Sequence, residues 1–101
     1  MLYITQLIYI RDGQEATFNA FEAVAIPLIS KYNGRLLLRY RPEAKNVIEQ
    51  NIETPYEIHI VEFKSEKDLA DFFNDEERKQ YTHLKEQSVK TAVLIKGERL
   101  G

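Results

Sequence analysis

Every candidate strand in this sequence carries apolar side chains on both of its faces. In residues 2–10, Leu2, Ile4, Ile8 and Ile10 point one way and Tyr3, Leu7 and Tyr9 the other, because successive strand residues alternate sides. A sheet that is apolar on both faces needs cover on both. The helices that the rest of the chain supplies are enough for one face only. A second copy of the chain is the simplest cover for the other, so a homodimer is expected.

The punctuation of the sequence sets out the elements. The first strand stops at Asp12-Gly13, and Asp12 with Glu15 has the spacing of a helix capping box. Phe18, Phe21, Ala25, Leu28 and Tyr32 then follow helical spacing, with Pro27 expected to bend that helix or loosen its preceding turn. Asn33-Gly34 suits a left-handed stop. A second strand is expected over 35–41, ending at Pro42, and Val47-Ile48 suggests a strand stub within the long connection 42–54. Residues 56–63 alternate most clearly. Ser65 with Asp68 and Asn74 with Glu77 repeat the capping spacing, and predict two helical segments carrying Leu69, Phe72, Phe73, Tyr81 and Leu84. A last strand over 91–96 closes at Gly97.

The order β-α-β-β-α-β predicts an α+β, ferredoxin-like plait. It is a four-stranded antiparallel sheet with two helices on one face, formed by a single domain over residues 1–101. Leu36, Leu38, Ile58 and Ile60 are assigned to the helix side. Tyr3, Thr5, Leu7, Tyr9, Leu37, Arg39, His59 and Val61 are assigned to the open face. Left uncovered, that face exceeds what monomers usually tolerate.

Composition narrows the function classes. A formal net charge of -2 argues against general nucleic-acid or anionic-membrane binding. There is no cysteine, which removes disulfides, thiol catalysis and thiolate metal sites. No charged lead with a cleavable hydrophobic region opens the chain, and no apolar run approaches the roughly 18 residues of a bilayer span. A cytoplasmic protein without membrane association is expected.

Three stretches carry a resemblance: Tyr32-Asn33-Gly34-Arg35-Leu36-Leu37-Leu38-Arg39, Val61-Glu62-Phe63-Lys64-Ser65, and the turn Asp75-Glu76-Glu77 running through Tyr81 and Leu84-Lys85 to Val93-Leu94-Ile95-Lys96-Gly97. In these the chain resembles the family called domain of unknown function 1330, within the dimeric α+β barrel superfamily, over nearly its whole length. The resemblance implies a ferredoxin-like dimer and assigns no reaction. Tyr40-Arg41 stand where the family often has a glycine pair, and His59 where it is commonly aliphatic. Superfamily relatives include small monooxygenases, muconolactone isomerases and haem-degrading enzymes, which share a cavity more than a chemistry.

Arg39 and His59 are the candidate catalytic residues, on neighbouring strands and both assigned to the dimer-facing side. A guanidinium holds a carboxylate with paired donors and an imidazole moves a proton near neutral pH. Tyr3 and Thr5 complete the candidate ligand site with them. The plainer reading pairs Arg39 with Glu57 or Glu62 and makes His59 a satisfied interface residue. Arg35, Arg39 and Arg41 line one strand as in RNA-binding plaits, but strand three offers no stacking ring and Glu53, Glu57 and Glu62 cancel the field, so no nucleic-acid partner is expected. A His59–His83 metal pair with Glu57 lacks metal-like spacing, haem lacks its tryptophan, and the four glycines are isolated; neither metal nor cofactor is expected. The leading expectation is a small dimer that binds a small acidic or aromatic molecule in a cavity between sheet and helices or between the dimer's sheets, in the manner of a cofactor-free monooxygenase or isomerase. The alternative is a non-catalytic binding or interaction module.

Overall fold

The structure, a computed structural model, describes residues 1–101. Its elements are β1 (Leu2–Ile10), α1 (Glu15–Leu28), β2 (Gly34–Tyr40), β3 (Glu57–Phe63), α2 (Glu66–Phe73), α3 (Glu76–Gln80), α4 (Thr82–Ser88) and β4 (Val89–Gly97). Single 3-10 turns lie at Ile29–Tyr32 and Ala44–Asn46. The sheet order is β2-β3-β1-β4, and each neighbouring pair is antiparallel. This is the ferredoxin-like plait expected from the element order. No helix is long and apolar enough to cross a membrane.

Local chemistry explains where the elements begin and end. Ser65 caps α2 by accepting from the Asp68 N–H at 3.2 Å, as its spacing predicts. Of the Asn33-Gly34 pair, only Asn33 takes the left-handed conformation, at φ 57°. Gly34 serves a different need: a Cβ there would lie 2.6 Å from the Phe63 ring and 2.7 Å from Ile29. Two caps fall elsewhere than expected. Gln14, not Asp12, precedes α1 and makes no side-chain cap. Asp75, not Asn74, caps α3, accepting from the Arg78 N–H at 2.9 Å. The segment after α2 forms two short helices rather than one, and Val47-Ile48 forms no strand.

The core joins Ile4, Ile29, Val61, Phe63, Leu69 and Phe72, with Leu36, Tyr32 and Phe73 packed against it. Each such large side chain contributes roughly 1.5–3 kcal/mol through burial. Two face assignments are corrected here. In β3 the helix side holds Glu57, His59, Val61 and Phe63, all buried, while Ile58 and Ile60 turn outward. Both parities of this strand are apolar, and the larger Phe63 wins the core position. In β2 the register shifts between Leu36 and Leu38: Leu36 lies opposite Val61 and Leu38 opposite Ile60, which leaves Leu37 as an extra, bulged residue. Leu36 therefore faces the helices, Leu38 faces outward, and Arg39 lies opposite His59 on the helix side.

The outer face remains apolar. Leu38, Tyr40, Val93 and Ile95 are all more than two-fifths exposed. Thr5 and Leu7 of β1 lie directly beside Ile95 and Val93 on that face.

Candidate functional site

Glu57 opens β3 on its buried side and is fully enclosed. Its carboxylate accepts from Arg39 Nε at 2.8 Å, from Arg41 Nε at 2.9 Å and from His59 Nε2. Burial pushes the Glu57 carboxyl up, but the hydrogen bonds from Arg39, His59 and Arg41 outweigh it and hold the group below its ordinary value. Arg41 also donates to the Asn19 side chain at 2.8 Å and lies over the Tyr56 ring, which ties α1 to the sheet edge.

His59 sits two residues on, buried and facing the same way. Burial lowers its pKa more than the Glu57 carboxylate raises it, so the ring is neutral near pH 7. An ionised carboxylate only accepts, so Nε2 carries the ring proton and Nδ1 keeps its lone pair. The ring lines a cavity of about 40 Å³ between sheet and helices, walled by apolar residues including Ile4, Phe21, Val61 and Phe72, together with Gln6, Glu22 and Arg78. A second cavity of about 30 Å³ shares Gln6, Phe21, Glu22 and Arg78 with the first and reaches Lys85.

Glu22 comes from the buried face of α1 and is 8% exposed. Burial and the nearby Glu57 charge push its pKa up to about 7, against the opposing pull of Arg39, Arg78 and Lys85. Arg78 is held from α3 among the rings of Phe21, Phe72 and Phe73, its guanidinium carbon 5.1–5.4 Å from each ring centre. Burial lowers the pKa of Arg78 and of Lys85. Asp75, which anchors the start of α3, also accepts from Tyr32 and from Lys31 Nζ at 3.0 Å, and is held well below the usual carboxylate range by these partners. The interior thus places an imidazole, a carboxyl group with a pKa near neutrality and a guanidinium around one cavity. That set can exchange protons with a small bound molecule.

The candidate residues from sequence are brought together only in part. Arg39 and His59 meet, but on the helix side of the sheet and not on the outer face, and Arg39 makes the ion pair with Glu57 that the plainer reading allows. Tyr3 and Thr5 lie on the outer face, opposite Glu62 and Ile60, so the sheet separates them from His59. The cavity itself lies between sheet and helices. The arginine row is split by the bulge: Arg35 bonds Glu62 at 3.0 Å, while Arg39 and Arg41 converge on Glu57. His83 is exposed and stacked on Tyr81, and no three His, Cys, Asp or Glu side chains gather as a metal site. Glu22 and Arg78 were missed. Glu22 occupies the position between Phe18, Phe21 and Ala25 that helical spacing assigns to the buried face, so its placement was readable.

Fold and cavity together define a ferredoxin-like α+β domain that keeps a set of ionisable groups between its sheet and its helices. The chain belongs to the family named domain of unknown function 1330, whose model matches residues 2–97. Among curated proteins, none matches it. Solved structures are similar in fold at low identity. A protein of unknown function from Rhodopseudomonas palustris matches with a TM-score of 0.83 at 15% identity, over 99% of this chain and 82% of that one. An uncharacterized NIPSNAP domain protein from Burkholderia xenovorans gives 0.70 at 12%, over 99% and 95%. A dimeric protein of unknown function and ferredoxin-like fold from Bacteroides fragilis gives 0.69 at 16%, over 97% and 95%.

Proposed function

We propose that this protein is a homodimer that binds a small acidic or aromatic molecule in the sheet–helix cavity and transfers a proton on it without a cofactor, as an isomerase or a small monooxygenase does. The observation that carries this reading is the buried His59, hydrogen-bonded to Glu57 and lining the cavity. Glu57 holds the imidazole through Nε2, and His59 is the base. Arg39 acts through Glu57 and is a positioning residue, not the anion holder. The dimer reading rests on the exposed apolar outer face and on the fully exposed Ile48 of the long connection. The similar Bacteroides fragilis protein is described as dimeric.

A second reading has its own support. Arg39, Arg41 and His59 are all engaged by one carboxylate, as expected of a satisfied structural cluster in a non-catalytic module. Native mass spectrometry of freshly purified protein separates the cases. A dimer with a small adduct that is lost on denaturation supports the cavity reading and supplies a molecule to assay. His59→Gln should then abolish its turnover in an intact dimer. Unchanged turnover removes His59 from the mechanism, and a clean dimer favours the non-catalytic module.

A further inference from the structure

Arg78 is 9% exposed, and its Nε–H has no partner. Its one side-chain hydrogen bond is a long 3.5 Å contact from Nη1 to the Phe73 carbonyl. No carboxylate lies within ion-pair distance of it: Asp75 engages only its backbone N–H, and Glu22 acts on it through space alone. A buried guanidinium left without its acceptor is costly, and native interiors rarely leave one so. Packing on three aromatic rings fixes the group at the wall shared by both cavities.

Its surroundings select the missing acceptor. Lys85 of α4 adds a second positive charge at the smaller cavity, while His59 and Gln6 bring none. Glu22 faces both cavities and makes no hydrogen bond to the protein. Glu57 of β3 is already neutralised by Arg39 and Arg41. The local field therefore favours one small anion. The larger cavity, of about 40 Å³, has room for roughly three waters, which limits its occupant to about the size of a three-carbon acid.

We infer that Arg78 is the anchor for the carboxylate of a short 2-oxo acid, with the side chain of Glu22 donating to the ligand's carbonyl oxygen. The proposal rests on the cavity reading above and names its ligand class. It also supplies the step that His59 would perform. The methyl or methylene C–H beside the carbonyl breaks, its proton passes to His59 Nδ1, the electron pair forms the C=C bond, and the carbonyl oxygen takes the Glu22 proton to give the enol. No oxidant is needed, and the reverse step restores both groups.

The probe is sodium pyruvate, titrated against ¹⁵N-labelled protein at pH 6, with its methyl hydrogen–deuterium exchange followed in D₂O. Saturable shifts of cavity residues such as Phe21, Glu22 and Val61 are expected, weakened at least tenfold in Arg78→Met and unchanged in Arg35→Met. If Arg78→Met fails to fold, Arg78→Lys keeps the charge and stem but loses Nε–H, and should weaken binding several-fold. Absence of saturable binding, shifts confined to the surface, or full affinity in the folded Arg78 variant overturns the inference. Arg78-dependent binding without His59-dependent exchange upholds it while counting against the catalytic reading. Exchange that needs His59 but not Arg78 does the reverse.

Discussion

Glu57 and His59 stand two residues apart on β3, point to the same side and are hydrogen-bonded to each other beneath the helices. Period-two geometry makes such a pair possible within one strand. Removing the carboxylate leaves Arg39 and Arg41 without their shared acceptor. Both arginines are partly hydrated, so Glu57→Gln is expected to cost about 2–3 kcal/mol, below the range for a fully buried pair. Urea unfolding measures this. Because Glu57 is what raises the His59 pKa against burial, the ring in the variant should titrate at lower pH than in the wild type, by NMR.

Glu22 gives stability a pH dependence of opposite sign to that of an ordinary paired carboxylate. Its folded pKa of about 7 lies above the reference 4.5, so between these values the folded chain holds a proton that the unfolded chain has released. Its contribution to stability falls as pH rises through that window, with an upper bound of about 3 kcal/mol. Glu22→Gln should therefore match the wild type near pH 5 and exceed it by about 1–3 kcal/mol near pH 8. Equal stabilities at both values would show that Glu22 ionises without penalty.

Gly34 is fixed by crowding. Gly34→Ala forces a methyl into Phe63 and Ile29, at a cost of about 1–3 kcal/mol. Thermal unfolding should fall by about 5–15 °C. Gly97→Ala, where an added Cβ meets nothing within 4 Å, is the matched control and should be neutral.

The outer face predicts association. Leu38→Lys places a charge in the apolar strip that Leu38 forms with Ile60 and Tyr40 on the edge side of the sheet. Light scattering after size exclusion should show a dimer for the wild type and a monomer with unchanged far-UV dichroism for the variant. A monomeric wild type would remove the second-copy explanation for this face.

The element order, the Ser65 cap and the left-handed Asn33 were legible because each follows from local chemistry. The side that each strand presents was not. Ile58 and Ile60 compete with Val61 and Phe63 for one core, and alternation alone cannot rank two apolar parities. Leu36-Leu37-Leu38 hides its bulge for the same reason, since any of the three leucines fits a core position. Arg39 and His59 were nonetheless paired correctly, because the bulge and the reversed parity of β3 moved both to the same new side. Glu22 and Arg78 escaped notice through their charge, although helical spacing buries the first and the Asp75 turn orients the second.

The extra residue at Leu37 gives β2 slack in its length. Deleting it would straighten the strand, yet Leu36 would still lie opposite Val61, Leu38 opposite Ile60 and Arg39 opposite His59. Because three leucines stand in a row, loss of any one of their codons yields the same shortened chain. For this strand, a one-codon deletion among the leucines is therefore absorbed by the bulge, and inside and outside keep their places.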